Sequence, residues 1–326
     1  MRLQPLARAR AASLGEAGAA WVAGLPDLLA GLAADWGLAL GRPVPGGSTG
    51  YVVRATVVGT GAPRVLKLVM PGLHVGSGPT ASTREAAALE AAAGRGHALL
   101  HAHDEARGAL LLEALGPSLE QVPTPVEAGL DLMARVFRTA HRGVPPGTAV
   151  PDVAAERAAY LSSLAARWER RPDVLDPAVR DHALACLARR SAALPAVVAA
   201  GRAVVGHGDA HPSNLLRVAQ PREGAPDGWV WVDPGGGPAD PAHDAGTLLR
   251  DGARHLEEAA ARGEDPRALH DRWVALVAAR LGLDEDAVRD WADGERVTTG
   301  LHVLGFGAEA VGRRFLRTAG LLLRGV

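Results

Sequence analysis

Apolar positions along this chain follow two rhythms. From Pro43 to Leu119 they come in short runs with β-branched or leucine character: YVVRATVV, RVLKLVM and GALLLEALGPSL. Runs of this length, punctuated by glycine and proline, predict strands. Ahead of them, AWVAGLPDLLAGLAADWGL repeats at helical spacing and predicts helices over residues 1–40, the second opening at Pro26-Asp27. TASTREAAALEAAAG predicts a helix over 80–94 with a glycine stop. Beyond residue 124 the helical rhythm dominates. Helices are predicted at 124–142, 152–170 and 176–200, set apart by Pro145-Pro146 and Pro172, and three more over 265–326. Another, over DPAHDAGTLLRDGARHLEEAAARG, opens near Asp240, with Asp240 and Asp244 read as structural caps rather than catalysts. Two short apolar runs interrupt this half: AVVG before His207, and WVWV before Asp233.

Those two runs end in chemistry. The first stops at His207-Gly208-Asp209, with Asn214 five residues past the aspartate; Asp233 closes the second, nineteen residues on. Strands that end in acid and amide side chains place them at one edge of a sheet. An aspartate to orient a hydroxyl, followed by an asparagine and an aspartate to hold Mg²⁺, is the set of parts that phosphoryl transfer uses in kinases. Hard oxygen donors of this kind suit Mg²⁺. Any one of these residues alone reads as a turn residue; their order after two strands points to the site.

HGDAHPSNLL and WVDPGGGPADPAHD resemble the catalytic and metal-binding segments of the aminoglycoside phosphotransferases. The resemblance implies an α+β, protein-kinase-like fold of two lobes. The N-terminal lobe, 1–115, would carry a helical extension (1–40) and a nucleotide-binding antiparallel sheet with one helix (41–115). The larger, mainly helical lobe would be 116–326, with Gly116-Pro117 at the boundary. It also implies ATP and Mg²⁺ as cofactors, Asp209 as the catalytic aspartate with His207 supporting its loop, and Asn214 and Asp233 as metal ligands. The glycine-rich turn with Ser48 and Thr49 would be the nucleotide-positioning loop, and backbone groups from Glu113 to Leu115 would face the adenine. The Ala20-Trp21-x-x-Gly24-Leu25-Pro26 run, and the Trp291-Ala292 and Gly300-Leu-His-Val-Leu304 steps, resemble the streptomycin and hydroxyurea phosphotransferase group. One departure is visible. The family usually carries Gly-Asp-Pro-x-aromatic-Asp where this chain has Ala239 and His243.

Composition sharpens one residue. Among 35 basic residues, Lys67 is the only lysine, and it lies inside the strand-like RVLKLVM. A compact ammonium is not interchangeable with a guanidinium, and a lone lysine in a strand suits a phosphate contact. Glu85, in an Arg-Glu step, is its candidate partner, with Glu90 as the fallback. Ser82-x-x-Glu85 can also be read as a capping box. Other motifs carry less. Gly46 to Gly50 fits G-x-S-x-G, but a nucleophile elbow needs a helix after the serine, and a strand follows. Gly76 and Gly78 with Ala81 mimic part of a dinucleotide fingerprint without directly following a strand. His97, His101, His103 and Asp104 read as a solvated strand end.

The remaining exclusions are broad. A net charge of −1 gives no general attraction to nucleic acid. Cys186 is the only cysteine, which excludes an internal disulfide and fits a reducing compartment; a buried structural thiol and a cytoplasmic protein are expected. No apolar run is read as long enough for a membrane span, and Glu16 interrupts any signal-peptide core. No obligate protein partner is evident. Asp240 comes only seven positions after Asp233 and no Ala-Pro-Glu follows, which leaves no room for a protein kinase's activation loop. A small-molecule hydroxyl is the expected acceptor, an aminoglycoside such as streptomycin first. Kinases of hydroxyurea, homoserine, choline or sugars, and a non-catalytic nucleotide-binding module, are the alternatives. The stretch GLDEDAVRDWADGER holds six acids against two arginines. An acidic wall of that kind would suit a cationic substrate, while helix capping and the helix dipole account for the same residues.

Overall fold

A computed structural model describes residues 3–44, 47, 49–71, 80–169, 171, 173–305 and 307–324. The chain divides into two compact units: Met1–Gly116 with Arg217–Gly235, and Pro117–Leu216 with Gly236–Val326.

The first unit opens with helices α1 (Pro5–Ser13) and α2 (Gly15–Asp35), then strands β1 (Leu38–Pro43), β2 (Gly50–Val57) and β3 (Pro63–Val69). Helix α3 (Ala81–Ala92) and strands β4 (Leu100–Asp104) and β5 (Ala109–Glu113) follow, and β6 (Leu115–Ser118) runs to the boundary. The five-stranded sheet has the order β1-β2-β3-β5-β4 with every pair antiparallel. Lys67 stands opposite Val52 on one side and Leu110 on the other. Side chains alternate along β3 as the pleat requires. Leu66 and Leu68 join the core that α1 and α2 cover, while Val65 and Val69 pack with Ala86 and Leu89 of α3. Lys67 shares the α3 face, and that places its ammonium against α3.

Two expectations for the N-terminal segment change. The helix break falls at Leu14, between α1 and α2, and α2 continues through Pro26. Proline removes one helical hydrogen bond and crowds the preceding turn. The stripe of Trp21, Leu25, Leu29 and Leu32 buried on the sheet offsets that cost. A Cβ on Gly18 would collide with the Ala11 carbonyl, so glycine there permits α1 and α2 to touch. As one continuous helix of 21 residues, α2 is long and apolar enough to cross a membrane by length and composition. Reading it as two helices hid that.

In the second unit, α4 (Val126–Ala140), α5 (Val153–Ala165), α6 (Pro177–Ala199) and β7 (Val204–Gly206) come first. The chain passes through β8 (Leu215–Val218) into the first unit, forms β9 (Trp229–Trp231) there, and returns. Strand β10 (Gly237–Ala239) and helices α7 (Pro241–Arg250), α8 (Ala253–Ala261), α9 (Pro266–Leu281), α10 (Glu285–Gly305) and α11 (Glu309–Arg324) complete it. β10 pairs antiparallel with β7, Gly237 opposite Gly206. The helix expected to run on from Asp240 is cut at Gly252, whose φ of 85° is left-handed and leaves the helical region. Helix α10 is central: Trp291, Val297 and Leu301 are buried along it. Added Cβ atoms on Gly246 of α7 and Gly294 of α10 would strike Trp291 and Leu187, so both neighbours approach α10 closely. Burial, with Asp293 and Asp290 adding to it, pushes the Cys186 thiol up to about 12.

Candidate active site

The first unit gathers three of the expected residues. Lys67 Nζ donates to both Glu85 oxygens at 2.7 and 2.6 Å and to Asp233 Oδ1 at 3.0 Å. Lys67 and Glu85 are buried, while 37% of the Asp233 side chain is exposed. Glu90 is exposed and is not the partner. Nor is Glu85 part of a capping box: the N-cap of α3 is Thr80, whose side chain accepts from the Thr83 N–H at 3.2 Å. Asp233 follows β9 with φ 59°, a left-handed conformation that aspartate tolerates better than most residues. Burial would lower the Lys67 pKa, but Asp233 and Glu85 outweigh it and hold the ammonium charged. Burial pushes the Glu85 carboxyl up to about 7 against the pull of Lys67, with Asp233 adding to the rise. One ammonium thus faces two carboxylates. The surplus of negative charge, its exposed end at Asp233, fits a divalent cation held by hard oxygen.

The second unit builds the His207–Asn214 loop. It hangs from Asp244, buried on α7, which accepts from the His207 N–H at 2.8 Å, the Gly208 N–H at 2.7 Å and His141 Nε2 at 2.9 Å. Burial alone would raise the Asp244 carboxyl. The His141 hydrogen bond and charge, with His243 and His207, hold it well below the usual range. His207 is buried beneath the loop, where its Nδ1 accepts the Asp209 N–H at 3.2 Å. The Asn214 Nδ2 donates to the Asp209 carbonyl at 3.0 Å, which commits its amide nitrogen and leaves Oδ1 as the donor atom that suits a metal.

Asp209 itself has a partner that spacing does not reveal. Arg250, buried at the end of α7, donates Nη2 to Asp209 Oδ1 at 2.5 Å, and His211 Nε2 lies 3.8 Å from Oδ2. The aspartate side chain is 56% exposed. Its partial enclosure would raise its pKa, but Arg250 and His211 hold it well below the usual range.

Other expected residues have local duties. The Thr49 carbonyl accepts the Met70 N–H at 2.8 Å. Ser48, Gly46, Gly76 and Gly78 lie outside the described residues. The Glu113 N–H bonds the Leu99 carbonyl at 3.0 Å, and its carboxylate accepts from the Leu99 N–H and from Arg222. Leu115 packs against Val218, Ala225 and Val230. Asp240 caps α7 through the Ala242 N–H, as expected, but Asp244 is no cap. His243 keeps an aromatic contact in place of the family's ring, 4.3 Å from Trp291 between centroids, and its Nε2 meets Glu295 Oε1 at 3.0 Å. The acidic stretch is not a wall. Asp284 caps α10, and Asp290, Asp293 and Glu295 are buried against Arg189, His182 and Arg157.

No family model matches the chain. It is 29% identical to the streptomycin 6-kinase of Streptomyces griseus over 290 residues, which cover 88% of this chain and 85% of that protein. That similarity supports the resemblance of its catalytic segments to the aminoglycoside phosphotransferases. Its fold is the two-lobed, protein-kinase-like α+β fold. The choline kinase LicA from Streptococcus pneumoniae matches over 92% of this chain and 98% of its own, with a TM-score of 0.57 and 13% identity. A choline kinase from Cryptosporidium parvum matches over 92% and 95%, with a TM-score of 0.56 and 9% identity. At such identities they speak for the fold alone. The chain is a small-molecule kinase, a nucleotide-using phosphotransferase with a hydroxyl group as acceptor.

Proposed function

We propose that this chain is an ATP-dependent, Mg²⁺-requiring cytoplasmic kinase that phosphorylates a hydroxyl of streptomycin and so confers resistance to it. The observation that carries this reading is the 29% identity to a streptomycin 6-kinase, which extends over most of both chains rather than over the catalytic segment alone. When bound, Mg²⁺–ATP supplies the transferable phosphoryl group and the cation that spreads its charge.

The residues divide the remaining work. Lys67, held charged and aimed by Glu85, contacts nucleotide phosphates. Asn214 and Asp233 are the residues that would offer oxygen to the metal. Thr49 belongs to the turn that would lie beside the phosphates, and backbone groups between Glu113 and Leu115 would approach the adenine. Asp209 accepts a hydrogen bond from the substrate hydroxyl through Oδ2, since Oδ1 is committed to Arg250. It fixes the line of attack and takes the proton late. His207 supports the loop from beneath.

An ADP-release screen over streptomycin, other aminoglycosides, hydroxyurea, homoserine, choline and simple sugars tests the substrate. Turnover with streptomycin is expected. Turnover confined to choline or homoserine overturns the reading.

Arg250 makes a separate prediction. Its guanidinium keeps the Asp209 carboxylate ionised and in one orientation. Arg250→Met should lower kcat about tenfold. It should also move the acid limb of the kcat profile upward, because Asp209 returns toward its ordinary pKa of about 4 and protonates at higher pH. A parallel drop in kcat at every pH, with the limb unmoved, would show that Arg250 acts on packing alone.

A further inference from the structure

The second unit holds another cluster of donor atoms, and phosphoryl transfer uses none of them. His182 and Cys186 are four residues apart on α6 and therefore share one face of that helix. Asp293 meets them from α10. His182 Nε2 lies 2.9 Å from Asp293 Oδ2 and 3.5 Å from Cys186 Sγ, and the three donor atoms all fall within 4.8 Å of one another.

We propose that His182, Cys186 and Asp293 form a structural site for one zinc-class divalent ion, which ties α6 to α10.

Three observations support this over a plain hydrogen-bonded cluster or a nucleophile. First, sulfur and carboxylate approach the same ring nitrogen of His182. A relay that activates a thiol needs them on opposite nitrogens, whereas three donors that converge on one point surround an ion. Second, the sulfur-nitrogen spacing fits. Zinc held at about 2.3 Å from sulfur and about 2.0 Å from nitrogen in a tetrahedron sets those two atoms about 3.5 Å apart, the separation found here. Thiolate, imidazole and carboxylate together also select zinc over the hard Mg²⁺ of the reaction. Third, a further buried imidazole lies in the electrostatic reach of Asp293. His270 of α9 is fully buried, and among the described residues neither of its ring nitrogens has a hydrogen-bond partner.

The surrounding charges do not forbid a cation. Arg189 Nη2 is 3.2 Å from the sulfur but is neutralised by Asp290 at 2.5 Å. Arg267 Nη1 is 3.4 Å from Asp293 Oδ2, and its Nε is 3.2 Å from Asp271. The His182 side chain is 34% exposed and gives an ion its way in. On binding, the thiol proton leaves to solvent, and a thiolate, a carboxylate and a neutral imidazole balance the divalent charge.

The test uses the full chain without an affinity tag, titrated with Co²⁺ as a spectroscopic stand-in for zinc. A thiolate-to-cobalt charge-transfer band should appear, saturate at one equivalent and vanish on addition of Zn²⁺. Cys186 is the only cysteine, so Cys186→Ser should abolish the band. Asp293→Asn should weaken cobalt binding on the order of tenfold or more. If buried Cys186→Ser fails to fold by circular dichroism, the part-exposed His182→Ala carries the test and should weaken binding by a similar factor. No band in folded wild-type protein, or unchanged binding in His182→Ala, overturns the proposal.

Discussion

Asp209→Asn should lower turnover on the order of a hundredfold or more and leave ATP affinity little changed. Asparagine keeps the size and one acceptor, but loses the charge that, in the proposed role of Asp209, orients the hydroxyl and receives its proton. A second effect follows from Arg250. With no carboxylate opposite, its buried guanidinium loses its counter-charge, so the single variant should also melt earlier. The double variant Asp209→Asn, Arg250→Met should recover melting temperature and remain inactive. Steady-state kinetics and thermal melts of the three proteins separate the two effects. If Asp209→Asn kept most of its turnover and His207→Ala lost it, the base would be His207 and the roles of this loop would need reassignment.

Asp233→Ala should abolish measurable turnover while the fold persists. The side chain is partly exposed and contacts Lys67, which retains Glu85, so its removal leaves no orphaned buried charge. On the proposed assignment its loss takes away a metal ligand, and with it the charge clamp on the transferring group. Raising Mg²⁺ should restore little. Near-normal activity with an unchanged Mg²⁺ requirement would rule out Asp233 as a ligand.

Much of this was readable before any coordinates, for reasons that differ by residue. The strands and helices announced themselves because apolar spacing is a local property. Lys67 stood out because the chain uses arginine everywhere else, and alternation along β3 explains why it points at α3 rather than at α2. Arg250 was invisible. An arginine in the last turn of a helix ordinarily reads as a partner for the helix dipole, and nothing local says that it reaches back 41 residues to Asp209. Asp244 was misread for the same reason. Four residues past a true cap, it resembles first-turn decoration, whereas it holds a distant loop by two backbone N–H groups. The acidic stretch misled because sequence displays charges and hides their partners: Arg189, His182 and Arg157 come from α5 and α6, 101 to 138 residues earlier.

The path of the chain through the first unit bears on how a gene for it can be cut. The sheet looks like an N-terminal module that ends at Gly116, yet residues 217–235 belong to it as well. They bring β9, the Trp231 N–H bonded to the Gly96 carbonyl, Arg222 on Glu113, and Asp233 on Lys67. A fragment that stops at the apparent boundary would leave Glu113 without its arginine and Lys67 without one of its two carboxylates. The ribosome must therefore pass Gly235 before this unit can close, even though domains commonly fold from the N-terminus as they emerge. Recombination that exchanges the first third of this gene for a relative's would trade away half of a contact at each of these points.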